Sequence, residues 1–272
     1  MRQRLFKVEG AGNDFLLGIG AWADRLAQDG DLVRRLCHRR LGVGADGAIA
    51  LVAESAGRAS LVHRNADGGE ADFCANGTRC AARAAVELLG CEKRLVVETA
   101  WKPIPAEVDG SEVKIEIPAL SEAPGIPAID IPDGASGLQF LHVGVPHLVA
   151  AALDLTGLDL SVVAPPLRSH PALAPHGANV NFYEVESNGA VRLRTWERGV
   201  EAETLSCGSG MVAVALVVMA AHDLRRLVLV PASGDRLTVE ALGEPPGCPT
   251  RFTGPTRFIA EIEPSDDFLR AP

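Results

Sequence analysis

Two short segments of the chain each place a cysteine immediately before a small triplet that ends in glycine. The first reads Cys74-Ala-Asn-Gly and the second reads Cys207-Gly-Ser-Gly, and each opens onto an alanine-rich stretch that predicts a helix. Unpaired N–H groups and a partial positive charge at a helix N-terminus favour anions. A cysteine there has a lowered pKa and can act as an acid or a base, while the N–H groups can hold a carboxylate.

The similarity of the two segments indicates an internal repeat, with one such helix in each half of the chain. If approximate two-fold symmetry relates the halves, both helix starts can face one cleft and present thiols to opposite sides of one ligand atom. One thiolate would remove the proton from the α-carbon of an amino acid, and the other thiol would return a proton to the opposite face. The helix termini would stabilise the carbanion as an oxyanion hole does. We therefore expect a two-base racemase or epimerase.

Polar side chains elsewhere in the chain are suited to binding an amino acid. Arg198 can hold a carboxylate in a bidentate fork, or it can form a surface salt bridge with Glu201 or Glu203. His147 follows a proline, and we expect it to end a strand, where it either sets the protonation state of a thiol or is an ordinary turn histidine. Asparagines in predicted loops can orient an ammonium group or serve as turn residues, and they are Asn13, Asn65, Asn76 and Asn179.

The elements that must position these residues are short strands and a few helices. A proline-rich break at 117–134 indicates a boundary between an N-terminal domain, 1–118, and a C-terminal domain, 119–272, with the return of the last strand to the first domain left open. Regular β-α-β alternation is absent, which predicts an α+β fold with mixed or antiparallel sheets. The predicted strands are 59–64, 94–99, 112–117, 180–186, 191–197, 236–241 and 257–262.

The two predicted helices also constrain the architecture. The second is apolar on every side, and the first carries polar residues only at intervals. A helix that is hydrophobic all round must be buried. Each half is therefore expected to wrap its strands around a central helix with a cysteine at its N-terminus. The opposing interpretation is that alanine-rich helices, and a cysteine beside one, are ordinary core material.

Charge and composition exclude several classes of protein. A net charge of −9 without any basic block makes nucleic acid and anionic membranes poor partners. The longest apolar run, 211–221, is eleven residues long, about half of what a bilayer-spanning helix needs. Six cysteines are too few for a secreted disulfide scaffold, and their spacing predicts neither disulfides nor a metal site. We expect a cytoplasmic protein with reduced thiols.

Eight motifs, spread from residue 10 to residue 210, carry a specific resemblance. They are Gly10-Ala-Gly-Asn-Asp-Phe15, His38-Arg-Arg-Leu-Gly-Val-Gly-Ala-Asp-Gly47, Asn65-Ala-Asp-Gly-Gly-Glu70, Cys74-Ala-Asn-Gly-Thr-Arg-Cys80, Gly144-Val-Pro-His147, Asn179-Val-Asn-Phe182, Glu197-Arg-Gly199 and Glu203-Thr-Leu-Ser-Cys-Gly-Ser-Gly210. In this order and combination they resemble the diaminopimelate epimerases, cofactor-independent isomerases of the lysine and peptidoglycan pathway.

The resemblance implies two similar domains, each a mixed barrel-like sheet around a central helix, in a chain that pairs as a homodimer. It implies that Cys74 and Cys207 are the base and acid that interconvert LL- and meso-diaminopimelate, with no cofactor. His147 and Glu197 would influence the protonation of the thiols. The remaining implied residues bind substrate, through the side chains of Asn13, Asn65, Asn179 and Arg198 and through the backbone amides of Ala75, Asn76, Gly208 and Ser209.

Three positions depart from the family pattern. Ala75 stands where glycine is usual, and it would crowd a carboxylate if the backbone there needs a positive φ. Val145 replaces the asparagine of the frequent Gly-Asn-Pro-His, so it cannot supply an amide contact to the substrate. The segment from Glu197 to Thr204 is longer than in the family, which can shift Arg198. Two-thiol catalysis survives these changes, and they bear on the choice of substrate.

Four other interpretations stay open. A related thiol racemase or epimerase acting on proline, hydroxyproline or histidine would use the same cysteines. Residues 42–47 fit the G-x-G-x-x-G pattern of dinucleotide-binding oxidoreductases, but the preceding residues look helical, so the strand-turn-helix context is missing. A pyridoxal phosphate racemase needs a Schiff-base lysine, and none of the four lysines stands in a suitable motif. A non-enzymatic binding protein would have no use for two acid-base thiols.

Overall fold

A computed structural model describes residues 4–71, 73–119 and 129–270. The chain divides into two compact units, of which unit 1 is Met1–Val113 with Thr256–Pro272 and unit 2 is Lys114–Pro255. Unit 2 begins at Lys114, whereas the sequence predicts a boundary between residues 118 and 119, and the last strand belongs to unit 1. Residues 120–128 of the proline-rich break lie outside the described residues.

Strands dominate both units. The strands are β1 (Leu5–Gly10), β2 (Asn13–Gly18), β3 (Gly47–Ser55), β4 (Arg58–Asn65), β5 (Arg94–Glu98), β6 (Pro103–Asp109), β7 (Glu112–Ile117), β8 (Ala135–Val143), β9 (Val145–Ala152), β10 (Asn179–Val185), β11 (Val191–Glu197), β12 (Ala202–Thr204), β13 (Arg226–Val230), β14 (Leu237–Ala241), β15 (Thr250–Pro255) and β16 (Arg257–Ile262). The helices are α1 (Ala21–Gln28), α2 (Gly30–Cys37), α3 (Ala75–Leu89), α4 (Leu160–Arg168), α5 (Gly208–His222) and α6 (Asp266–Arg270), with a 3-10 turn at Pro171–Leu173. None of these helices is long and apolar enough to cross a membrane.

In unit 1 the strand order is β16-β1-β2-β3-β4-β5-β6. Antiparallel hairpins join β1 to β2, β3 to β4 and β5 to β6, whereas β2 with β3 and β4 with β5 are parallel pairs. Parallel neighbours need a crossover connection, and helices supply both of them here. Helices α1 and α2 connect β2 to β3, and α3 connects β4 to β5.

Unit 2 repeats this series of connections. Its strand order is β7-β15-β14-β13-β11-β10-β9-β8, with β12 paired to β11. Hairpins join β8 to β9, β10 to β11 and β13 to β14, and the parallel pairs are β9 with β10 and β11 with β13. Helix α4 lies in the first crossover and α5 in the second. The repeat confirms the predicted α+β class with two pseudo-symmetric halves.

The central helix of each unit contacts most strands of that unit's sheet. Helix α3 contacts β1 to β6, and α5 contacts β8, β9, β10, β11, β13 and β14. Both helices are 15 residues long, and α5 is buried on nearly its whole circumference, with only its C-terminal end exposed. Each sheet therefore wraps around one helix, as its apolar composition predicts. Helix α3 ends where Gly90 takes a left-handed conformation, with φ of 72°.

The other helices cover the opposite face of each sheet. In unit 1, Trp22, Leu26 and Leu36 of α1 and α2 pack with Leu16 of β2 in a second buried cluster. In unit 2, α4 packs against β10 and β11 in the same manner. Strands between two helical layers are buried on both faces, so their sequences lack a polar side. The seven strands predicted from alternation are all present, within one residue or so at each end.

Candidate active site

Cys74 precedes the first turn of α3. Its backbone is extended, with φ of −139° and ψ of 112°, and it is the N-cap residue of the helix. The Gly77 N–H donates to Cys74 Sγ at 3.4 Å. An N-cap side chain satisfies one of the unpaired N–H groups of the first turn, so this thiol sits where a negative charge is stabilised.

Asn13 brings a second polar group to Cys74. The hairpin between β1 and β2 turns at Ala11 and Gly12, whose φ values of 59° and 85° are those of a type I′ turn. Asn13 opens β2 directly after this turn, and its Oδ1 lies 3.6 Å from Cys74 Sγ. Because the Asn13 amide nitrogen donates to Asp46 Oδ2 at 2.7 Å, its oxygen is the atom presented to the thiol. Cys74 Sγ thus lies between an acceptor for its thiol hydrogen, Asn13 Oδ1, and a donor that stabilises its thiolate, the Gly77 N–H.

An ionic cluster holds Asp46 in place. Arg39 donates to Asp14 at 2.8 Å and to Asp46 at 2.6 Å, and Lys7 lies 2.5 Å from Asp14. Although burial alone would raise it, hydrogen bonds and charge from Arg39 and Lys7 hold the pKa of Asp14 below its ordinary value. The Asp14 carboxylate is therefore ionised near neutral pH, and the Asn13 amide is anchored to an Asp46 side chain that Arg39 holds in place.

The other unit 1 residues of the predicted site differ in exposure. Asn76 is fully buried and accepts from Arg79 Nη2 at 2.8 Å, so its side chain belongs to the core and only its backbone amide is at the helix start. Asn65 is exposed at the end of β4, in a turn closed by Gly68 and Gly69. Ala75 begins α3 without a positive φ, so its side chain is accommodated without backbone strain.

Cys207 occupies the equivalent position in unit 2. It is the N-cap residue of α5, with φ of −115° and ψ of 108°, and it is 7% exposed. Its Sγ lies 3.6 Å from the hydroxyl of Ser209, which lies 3.0 Å from His147 Nε2. Ser209 is therefore more than a source of backbone amide, because its hydroxyl stands between the thiol and the histidine.

His147 lies near the start of a strand, so the expectation that it ends one is wrong. Gly144, with φ of 70°, makes a tight turn between β8 and β9, and β9 begins at Val145 and runs on past the proline. Proline is tolerated there because it stands at the opening of the strand. Complete burial, with smaller contributions from nearby positive charge, lowers the pKa of His147 to about 3. The imidazole is therefore neutral.

Asn179 and Arg198 are brought together in unit 2. Asn179 opens β10 beside His147, and its Oδ1 accepts from the Arg198 backbone N–H at 2.7 Å. In the described part of the chain Arg198 forms no ion pair, since Glu201 is paired with Arg168 and Glu203 with Arg194. The surface salt bridge weighed as an alternative for Arg198 is thus absent from the described residues.

The longer segment after Glu197 forms a compact hairpin. Strand β12 pairs with the end of β11, and the turn between them uses positive φ values at Gly199 and Glu201. Glu197 Oε2 accepts from the Thr204 hydroxyl at 2.9 Å across this hairpin. The extra length is absorbed in the turn, and the Arg198 backbone stays fixed through Asn179.

The repeat makes the two cysteine sites comparable and shows how they differ. Asn13 opens the second strand of the first hairpin in unit 1, and Val145 opens the corresponding strand in unit 2. Cys74 therefore has an amide oxygen beside it, whereas Cys207 has a hydroxyl backed by a histidine. The two thiols share a helix position and have different hydrogen-bond partners.

Three of the four remaining cysteines are poor acid-base groups. Burial is the main cause that raises the pKa of Cys37 and of Cys80 to about 12, and burial also raises the pKa of Cys91. Thiols with a pKa raised in this way stay protonated near neutral pH. Cys248 is buried as well, and none of these four cysteines is the N-cap of a helix. The two N-cap cysteines are therefore the candidates for thiolate chemistry.

Three residues that contact the predicted site were not assigned a role from the sequence. Asp46 orients Asn13, while Asn181 and Thr195 extend the polar contacts of His147. Asn181 had a usable signal, because Asn179 and Asn181 alternate along one strand and so point to the same face. A buried polar face on an otherwise apolar strand indicates a hydrogen-bond network.

The dinucleotide-binding interpretation lacks support in the structure. Residues 42–46 follow helix α2 and lead into β3, which begins at Gly47, and this is the reverse of the strand-turn-helix order that a dinucleotide site needs. Gly42 packs so closely on the α2 C-terminus that an added Cβ would lie 2.1 Å from the Arg35 carbonyl oxygen. Across the described ranges, no group of three His, Cys, Asp or Glu side chains could hold a metal ion.

Comparison with known proteins gives consistent matches. A family model described as diaminopimelate epimerase matches residues 5–117 and 140–248. The diaminopimelate epimerase of Hydrogenobaculum sp. is 38% identical over 220 residues, covering 76% of this chain and 79% of that protein. That of Methanothrix thermoacetophila is 36% identical over 280 residues, covering 97% and 96%.

The fold has close counterparts among solved structures. A probable proline racemase from Agrobacterium radiobacter, crystallised with bound carbonate, superimposes with a TM-score of 0.70 over 98% of this chain and 94% of that one, at 17% identity. At this identity the likeness concerns the fold alone. The sequence matches are stronger and span both cysteine segments, and they show that this chain belongs to the diaminopimelate epimerase family.

Proposed function

We propose that the protein is an isomerase that interconverts LL- and meso-diaminopimelate, with Cys74 and Cys207 acting on opposite faces of one α-carbon. The observation that carries the proposal is the placing of one cysteine as the N-cap of the central helix in each of two repeated units. The curated relatives named diaminopimelate epimerase support the choice of substrate.

The reaction moves one proton off the α-carbon and one proton on. A thiolate takes the α-proton, and the electron pair of the C–H bond moves into the substrate carboxylate as an enolate-like charge. The second thiol then gives its proton to the opposite face of the carbon, and the configuration is inverted. The reverse direction exchanges the roles of the two cysteines, so each serves as base for one isomer.

Stabilising the carbanion is the difficult step, and helix N-termini are suited to it. The backbone amides of Ala75 and Asn76 begin α3, and those of Gly208 and Ser209 begin α5. We propose that these N–H groups bind the carboxylate at the reacting end. The hydrogen bonds from these groups would strengthen as negative charge moves onto the carboxylate oxygens. They would therefore stabilise the transition state more than the bound substrate, which lowers the barrier.

Substrate binding and thiol protonation are assigned to the surrounding side chains. The Arg198 guanidinium has no carboxylate partner in the described residues and would hold the distal carboxylate in a bidentate fork. Glu197 and His147 would modulate the protonation of the thiols. The amides that would orient the ammonium groups are Asn13, Asn65 and Asn179.

Assembly and location complete the proposal. We propose a homodimer that works in the cytoplasm, on the ground that the family resemblance implies pairing and that six reduced thiols suit a reducing compartment. Light scattering during size-exclusion chromatography of the reduced protein would give the mass. A monomer at working concentrations would rule out obligatory pairing.

A substrate panel separates the proposal from its nearest alternative. Reduced, metal-free protein is incubated with LL-diaminopimelate, proline, hydroxyproline or histidine, without pyridoxal phosphate, and the products are resolved by chiral chromatography. We expect inversion of diaminopimelate alone, its loss in Cys74→Ala and in Cys207→Ala, and its retention in the matched control Cys80→Ala. Inversion of proline or histidine instead would transfer the assignment to the related racemases, with Val145 as the first position to examine.

A further inference from the structure

A continuous row of buried polar atoms leads to Cys207 within unit 2. The Thr195 hydroxyl lies 2.9 Å from Asn181 Oδ1, and Asn181 Nδ2 lies 3.2 Å from His147 Nδ1. His147 Nε2 lies 3.0 Å from Ser209 Oγ, which is 3.6 Å from Cys207 Sγ. Thr195, Asn181 and His147 are nearly or fully inaccessible to solvent. Each hydrogen atom in this row therefore has few alternative acceptors, and the direction of each hydrogen bond can be deduced.

The orientation of Asn181 sets the direction of the row. Its Nδ2 atom lies 2.9 Å from the Leu148 carbonyl oxygen, which can only accept a hydrogen bond. An amide turned the other way would bring two oxygens together. Nδ2 has two hydrogens, and with one directed to Leu148 the other points at His147 Nδ1. The amide oxygen then accepts from the Thr195 hydroxyl, which completes the hydrogen bonds of the amide.

The tautomer of His147 follows from its partners. Because Asn181 donates to Nδ1, that nitrogen carries no hydrogen, and a neutral imidazole must then carry its hydrogen on Nε2. Burial disfavours the imidazolium form, and a proton on His142 of β8 or the charge of Arg198 after β11 acts in the same direction. His147 therefore donates from Nε2 to Ser209 Oγ. The Ser209 hydroxyl hydrogen is left to point at Cys207 Sγ.

We propose that Ser209 is a positioning residue. Its hydroxyl, oriented by this row of hydrogen bonds, donates to Cys207 Sγ and stabilises the thiolate form of Cys207. Cys74 has different partners, since the Asn13 amide oxygen accepts from its thiol and the Gly77 N–H donates to its Sγ. This assignment deepens the proposed function, on which its catalytic consequence rests.

Alkylation of the thiols measures the effect without any turnover. The rate of carbamidomethylation by iodoacetamide is followed against pH, and the Cys207 and Cys74 peptides are quantified separately by mass spectrometry. Hydrogen bonds to charged groups are strong enough that Ser209→Ala should raise the midpoint for Cys207 by about one to two pH units. Ser209→Thr, which keeps a hydroxyl, should leave the midpoint near the wild-type value.

The Cys74 peptide from the same sample is the internal control. Cys74 should show the same midpoint in all three proteins, and a midpoint is independent of the changes in access that alter the plateau rate. An unchanged Cys207 midpoint in Ser209→Ala, beside an unchanged Cys74, would overturn the proposal. A shifted midpoint in a protein that does not invert diaminopimelate would support this inference while refuting the proposed function.

A measurement on the unmodified protein covers the case in which Ser209→Ala fails to fold. Long-range 1H–15N correlation spectra of imidazole rings distinguish the nitrogen that carries hydrogen, and His147→Gln identifies the signals of His147. We expect hydrogen on Nε2 throughout the neutral pH range. Hydrogen on Nδ1 would reverse the row and contradict the proposal.

Discussion

Replacing His63 by leucine should remove a defined part of the acid sensitivity of unit 1. His63 lies on β4 and is 8% exposed, with its ring edge-on to Phe15 at 5.5 Å between centroids. Neither ring nitrogen has a hydrogen-bond partner among the described residues. Burial lowers the pKa of His63 to about 4 from its ordinary value of 6.5. At 1.36 kcal/mol per pKa unit, this shift corresponds to about 3 kcal/mol.

The direction in which stability changes with pH follows from proton binding. Below pH 6.5 the unfolded chain binds a proton at His63, whereas the folded protein does not until about pH 4, so stability falls as the pH falls through this range. At pH 5 the loss from this one residue is about 2 kcal/mol. Urea unfolding at pH 7.5 and pH 5 should therefore show a drop in unfolding free energy that is smaller by about 2 kcal/mol in His63→Leu.

Two comparisons make the result specific. His222 is exposed at the end of α5, so His222→Gln should keep the wild-type difference between the two pH values. His147 is buried in unit 2 and should continue to contribute its own acid loss in both proteins. The reasoning is refuted if wild type and His63→Leu lose the same free energy between pH 7.5 and pH 5.

Further outcomes test the candidate site. Asp46→Ala should lower kcat by about tenfold, because the Asn13 amide is then free to turn its N–H groups toward the thiol. An unchanged kcat in the chiral assay would exclude this orienting role of Asp46. Arg198→Gln should raise the KM for diaminopimelate by more than about tenfold, with Arg198→Lys in between, whereas an unchanged KM would remove Arg198 from substrate binding. Cys37 and Cys80, with pKa values of about 12, should resist iodoacetamide at pH 7.5 until the protein is unfolded, as peptide mass spectrometry would show.

Alternation of polar and apolar residues explains which strands could be predicted. Strand β7 alternates between fully buried positions and partly or fully exposed ones, and its bounds match the prediction. Strand β2 was missed because it lies between two helical layers, with Phe15 against α3 and Leu16 against the α1 and α2 cluster. A strand buried on both faces has no polar side to reveal its period. Strand β9 was hidden in the same way, and its early proline added to the difficulty.

In the candidate site, too, the local features could be predicted from the sequence and the long-range contacts could not. The two N-cap cysteines are local features, because a helix start is encoded in a few consecutive residues. The partners of the cysteines come from distant parts of the chain. Asp46 reaches Asn13 only because β2 and β3 are parallel neighbours, and Asn181 reaches His147 only through the parallel pair of β9 and β10. Parallel pairing across a crossover leaves no local signal, so these contacts required the structure.

The position of solvent deuterium early in turnover tests the two-base account most directly. LL-diaminopimelate is incubated with reduced protein in D2O, and the reaction is stopped at low conversion. Substrate and product are separated on a chiral column, and their deuterium content is measured by mass spectrometry. Thiols on opposite faces predict one deuterium at the inverted carbon of the meso product and none in the recovered LL substrate. Product that keeps its original proton, or substrate that gains deuterium as fast as product forms, would contradict catalysis by Cys74 and Cys207 as a pair.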